Sequence, residues 1–128
     1  MDSDESIATA IRRELEEGLR SLTTRREFVG RVTEAKSERF GTTTFELTGR
    51  YKELADREVT LVVEVDPARM GWRVEAGLYE YADDEDSQRL VRELGSSRVI
   101  DIDRAIENGR GLARAGWAAL LIYPALSE

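Results

Sequence analysis

An α+β fold is what this sequence predicts: a four-stranded antiparallel meander sheet with an N-terminal helix and two C-terminal helices packed on one face. Three observations predict it. The N-terminal segment repeats apolar residues at helical spacing, residues 27–81 are rich in Val, Thr and aromatic residues with period-two alternation, and the remainder returns to helical composition. With 128 residues, 41% apolar and 35% charged, no internal repeat and no low-complexity linker, the chain is read as one α+β domain over 1–128 with an ordinary core.

The first element runs from Ser3 to about Leu22, where Ile7, Ile11, Leu15, Leu19 and Leu22 form one stripe of an amphipathic helix. Ser3 or Asp2 can cap it, Asp4 and Glu5 suit its dipole, and Arg12 with Glu16 and Arg13 with Glu17 are surface pairs four apart. Glu27 to Lys36 and Arg39 to Thr48 then read as a β-hairpin turning at Ser37 and Glu38, with Phe45 and Leu47 inward. Gly49 to Arg57 is a connection with room for a helical turn. Glu58 to Asp66 alternates Val59, Leu61, Val63 and Val65 against Thr60, Val62 and Glu64, and Asp66-Pro67 opens a turn that Gly71 closes.

The fourth strand, Trp72 to about Tyr81, places Trp72, Val74, Ala76 and Leu78 on one face and Arg73, Glu75, Tyr79 and Tyr81 on the other. A bulge at Gly77 would move both tyrosines to the Trp72 face. Asp83 to Leu94 reads as a second helix with an acidic start, using Leu90, Val91 and Leu94 and stopping at Gly95. Arg98 to Asp101 fits a brief strand. A third helix follows, capped by Asp103, with Ile102 and Ile106 on one side and an interruption at Asn108-Gly109. The apolar end, residues 117–126, reads as a buried helix, with a buried strand left open because periodicity does not separate the two in a short run.

Composition excludes whole chemistries. The chain has no Cys and no His, so disulfides, thiolate chemistry, imidazole bases and the usual zinc ligand sets are absent. Ser37, Ser96 and Ser97 therefore lack a histidine to activate them. Asp83, Asp84, Glu85 and Asp86 lack the alternate spacing and glycine of a hard-cation loop and read as a helix start. Asp101, Asp103 and Glu107 read as cap and helix surface rather than a nucleotide-metal site. Asn108, Gly109, Arg110, Gly111 and Gly116 match no phosphate or dinucleotide loop, and small residues for tight helix packing explain them better. No enzyme activity, cofactor or metal is expected.

The net charge is −7, and each quarter of the chain is neutral or acidic, so no basic domain hides inside the average. Arg12, Arg13 and Arg20 share their helix with Glu14, Glu16 and Glu17, which argues against direct nucleic-acid binding. Arginine outnumbers lysine by 17 to 2, a bias that GC-rich coding or a salt-adapted surface would produce. No window of about 20 apolar residues spans a bilayer and the first residues are acidic, so a cytoplasmic or virion location without a signal peptide is expected.

What remains is protein binding. Candidate contacts are the acids Asp83, Asp84, Glu85 and Asp86 and the outward sheet residues Arg31, Glu46, Glu64, Arg73, Glu75, Tyr79 and Tyr81. Phe28, Phe40, Phe45 and Trp72 join Tyr79 and Tyr81 as the aromatics of the expected sheet, most of them core. In element order only, helix then antiparallel strands then helix resembles tail-terminator or neck subunits of tailed viruses and secretion-type chaperones. That resemblance implies protein binding and transfers no site residue. The expectation is a non-catalytic acidic structural or adaptor subunit that binds protein partners, including itself as a homo-oligomer. The alternatives are an acidic inhibitor or immunity protein covering a basic active site, and a small ligand-binding domain with a pocket between sheet and helices near Trp72 and Tyr79.

Overall fold

The computed structural model describes residues 3–84 and 87–123. Its elements are α1 (Ser3–Arg26), β1 (Phe28–Lys36), β2 (Thr43–Tyr51), a 3-10 turn (Lys52–Leu54), β3 (Arg57–Ala68), β4 (Gly71–Ala82), β5 (Arg89–Val99) and α2 (Ile102–Leu121). The strands pair antiparallel in chain order, and the two helices lie side by side on one face, α1 over β1 and β2, α2 over β3 to β5. Alternation aims Phe45, Leu47, Val59, Leu61, Val63, Val74 and Leu78 at the helices, where they meet Ile7, Ile11, Leu15 and Leu22 of the predicted α1 stripe.

The α+β meander is present, with five strands rather than four and one C-terminal helix rather than two. Of the expected helix from Asp83 to Leu94, Asp83 and Asp84 lie in the β4–β5 turn, Glu85 and Asp86 lie outside the described residues, and Arg89 to Leu94 form the first half of β5. Its pseudo-helical spacing has a specific cause: pairing with β4 skips Leu94 and Val91, so two bulges break the period of two and turn both side chains toward the core. Gly95, expected to stop a helix, lies inside β5 at φ 152°, a conformation closed to L side chains. The bulges belong to β5, and β4 itself runs unbroken opposite β3, leaving Tyr79 and Tyr81 on the face away from Trp72.

The expected break at Asn108-Gly109 does not occur, and α2 runs from Ile102 to Leu121. Its buried glycines are close-approach positions: a Cβ on Gly109 would lie 2.8 Å from Ile11 Cδ1, and one on Gly116 would lie 2.6 Å from Leu61 Cδ2 and nearer still to Cδ1. The helical reading of the apolar end holds for residues 117–121, while 124–126 lie outside the described residues. Asp101, not Asp103, is the cap, accepting a hydrogen bond from the Asp103 amide at 2.8 Å. Ser3 and Asp2 cannot be assigned as caps, because Asp2 and the Ser3 side chain lie outside the described residues.

α1 extends to Arg26, and Glu27 at φ 51° makes the reversal into β1. β2 begins at Thr43 instead of Arg39, which moves Phe40 from the sheet into the β1–β2 turn. The expected helix pairs are replaced by others. Arg12 reaches Glu34 of β1 at 2.6 Å, and Glu17 is taken by Arg20 at 2.5 Å.

Meander topology sorts the connections. Turns 37–42 and 69–70 and the passage from β5 into α2 lie at one end of the sheet, hereafter the turn end. The opposite end carries the β2–β3 and β4–β5 connections and the last turn of α2.

Candidate functional site

Three places concentrate side chains: a polar cluster under the end of α2, the sheet face that no helix covers, and a groove at the turn end.

The polar cluster went unread in the sequence. α2 has no basic residue in its last turn, so its final carbonyls need donors from elsewhere. The Tyr51 hydroxyl donates to the Leu120 carbonyl, and Arg26 donates to Leu121 at 2.6 Å while lying 4.6 Å from the Tyr51 ring centroid. Tyr123 stacks on Tyr51 and donates its hydroxyl to Glu80, whose carboxylate also takes Arg89 at 2.7 Å and faces Arg57 at 3.8 Å. Burial pushes the Tyr51 phenol far above its ordinary value. A second buried carboxylate, Glu14, accepts from Trp117 Nε1 at 2.9 Å and Arg114 at 3.2 Å and ties the two helices together. Among the described residues, no buried side-chain N or O atom lacks a partner. Both clusters commit their groups to the fold.

On the open face stand the sheet residues chosen from the sequence. Register places Arg31, Thr48, Thr60, Tyr79 and Leu90 in one row across the five strands, Glu46, Val62, Gly77 and Glu93 in the next, and Glu64 beside Glu75 in a third. Arg73 and Tyr81 belong to the same face. Between Val62, Tyr79 and Leu90 lies a basin of about 270 Å³, bordered by Glu64, Glu75 and Glu93. Gly77 opens it by having no side chain. Glu75 is ion-paired with Arg73, whereas Glu46, Glu64 and Glu93 make no ion pair or hydrogen bond among the described residues. No three carboxylates among the described residues are placed to hold a metal ion. The acidic turn is separate from this face. Asp83 is held by a two-pronged Arg50 contact at 2.9 and 3.1 Å, which lowers its pKa, Asp84 is exposed, and Glu85 and Asp86 lie outside the described residues.

Desolvation, with Glu75 and Asp66 nearby, raises the pKa of Glu64. A raised folded-state value means that ionising Glu64 costs stability, a cost absent below the ordinary carboxylate range of about 4.3 and complete once pH exceeds the folded value. Glu64→Gln is expected to raise the melting temperature slightly at pH 7, solvent screening at this partly exposed position keeping the gain small. The gain should vanish at acidic pH. A pH-independent gain, read from melts across that range, would assign the effect to something other than ionisation.

At the turn end, the β1–β2 turn, the β3–β4 turn and the β5–α2 junction each project one large apolar side chain: Phe40 is 68% exposed, Met70 75% and Ile100 74%. With Pro67 and Trp72 they line an open groove of about 870 Å³. Its charged residues are Asp66, Arg69, Arg73 and Arg98, so the groove is locally basic in an acidic chain. Asp66 accepts from Thr42 at 2.5 Å and faces Arg73 at 3.8 Å, which leaves Arg69 and Arg98 without an ion pair among the described residues. Arg39 lies 5.2 Å from the Phe40 ring centroid at the same end. Arg73, named from the sequence, borders this groove, and Phe40 was expected on the sheet. Met70 and Ile100 were not singled out, though Met between Arg69 and Gly71 in a tight turn is an apolar residue with no route to a core. Trp72 and Tyr79, near which a pocket was expected, lie on opposite faces of β4.

No helix among the described residues is long and apolar enough to cross a membrane. Compared with protein-family models, curated proteins and solved structures, the chain finds no match.

Proposed function

We propose that this chain is a non-catalytic protein-binding subunit, a structural or adaptor component of a protein assembly of the kind found in viral tails or necks. One observation carries the reading: Phe40, Met70 and Ile100 come from three separate connections to one groove and remain exposed there. Scattered exposed apolar residues are ordinary, but a contiguous patch with a polar rim marks a contact surface. Because the buried polar side chains of the described residues are hydrogen-bonded within the fold, what the protein offers a partner is surface.

The acidic basin favours a second reading, an inhibitor that covers a basic site, since Glu46, Glu64 and Glu93 are available to a cationic partner. Comparing the wild type with Phe40→Ser/Met70→Asp/Ile100→Ser as baits in extracts of the source cell separates the two. An assembly subunit should retain a defined protein at least about tenfold better than the variant, with the variant's melting transition intact. Equal retention by both baits sinks the groove reading, and retention lost only with Glu64→Lys/Glu93→Arg favours the inhibitor.

A further inference from the structure

We infer that the groove at the turn end takes the acidic basin of a second copy of this chain, so that the protein assembles head to tail. The inference rests on the protein-binding reading and names the partner. The two surfaces are complementary in both respects that govern association. Each has an apolar lining: Phe40, Met70 and Ile100 in the groove, and Val62, Tyr79 and Leu90 in the basin. Among the described residues each also has charges without an ion pair, Arg69 and Arg98 in the groove against Glu64 and Glu93 in the basin.

Like pairings are disfavoured by the same charges. Groove on groove sets Arg69 and Arg98 against their own copies, and basin on basin sets Glu64 and Glu93 against theirs, at a cost that groove-on-basin docking avoids. The groove's Asp66, Arg73 and Arg98 form the row of the open face next to Glu64 and Glu75, so groove and basin adjoin without sharing a lining residue, and a head-to-tail contact uses both. Such a heterologous contact does not close on two copies. It continues to a ring if the rotation between copies closes, and to a filament if it does not.

Sedimentation velocity on the purified chain at low ionic strength tests this with two variants. Arg69→Glu/Met70→Asp alters a two-residue exposed turn, and Glu64→Lys/Glu93→Arg alters the basin; Glu93→Arg alone, at an exposed position, serves if the double variant melts early. The wild type is expected to grow past the dimer with concentration, or to stop at one closed ring. Each variant alone should associate at least about tenfold more weakly. Mixed in equal amounts, they should form a one-to-one pair that grows no further, because each supplies the surface that the other lacks. A wild type that stays monomeric, a wild type that stops at two copies, or a mixture that stays monomeric would each overturn the inference. If the wild type is monomeric yet retains a different protein that the groove variant releases, the protein-binding reading stands and only self-assembly fails. Loss of both overturns both.

Discussion

Glu80→Ala is expected to destabilise the protein by about 3 kcal/mol, near the lower bound for removing one partner of a buried ion pair. The Glu80 carboxylate is 6% exposed and receives Tyr123, Arg89 and Arg57. Its loss strands the buried Tyr123 hydroxyl, whereas Arg57 and Arg89 are partly solvated and recover water contacts, which keeps the cost at that lower bound. In a chain of this size the melting temperature should fall by roughly 10 °C. Glu80→Gln keeps an acceptor for Tyr123 and should cost only about 1–2 kcal/mol, and Tyr123→Phe about 1 kcal/mol. Urea unfolding of the three variants checks the order. Equal losses for alanine and glutamine would assign the effect to charge alone and remove the hydroxyl from the account.

The second large effect is a pair of identical substitutions in α2 with opposite signs. At Gly116 an added methyl would meet Leu61, which is fully buried, with Cγ 3.0 Å away and both Cδ atoms closer. Overpacking of this kind costs about 1–3 kcal/mol, and so tight a site belongs at the upper end. Better helix propensity returns about 1 kcal/mol, leaving a net loss of about 2 kcal/mol for Gly116→Ala. At Gly111, earlier in the same helix, an added methyl would meet nothing within 4 Å, so Gly111→Ala should gain the full propensity difference of about 1 kcal/mol. Adding Leu61→Ala to Gly116→Ala should recover part of the first loss, with a coupling of at least about 1 kcal/mol, because the shortened side chain vacates the space that the methyl needs. Urea unfolding of the single and double variants reads the coupling, and additive losses would show that the helix, not Leu61, yields.

The open sheet face was legible from strand alternation. A period of two assigns Arg31, Glu46, Glu64, Arg73, Glu75, Tyr79 and Tyr81 to one side wherever the strands run unbroken, and β2, β3 and β4 do. The groove was not legible, because its three apolar residues are far apart in the chain and only the meander brings their connections to one end. The polar cluster escaped for the same reason. Tyr51, Glu80 and Tyr123 carry no mutual spacing, and although period-two alternation sets Glu80 on the Leu78 face, only the fold brings Tyr123, Arg89 and Arg57 to its carboxylate.

Local periodicity by itself determined the α1 stripe, strands β1 to β4 and the sidedness of the sheet, since each depends on neighbours a few residues apart. Tertiary structure decided what depended on distant partners. β5 became a strand because the open edge of β4 supplied hydrogen bonds that could absorb two bulges, overriding a helical spacing of Leu90, Val91 and Leu94. α2 became one helix because Gly109 and Gly116, breakers by propensity, allow it to approach Ile11 and Leu61, and that close packing outweighs the roughly 1 kcal/mol that each glycine costs the isolated helix.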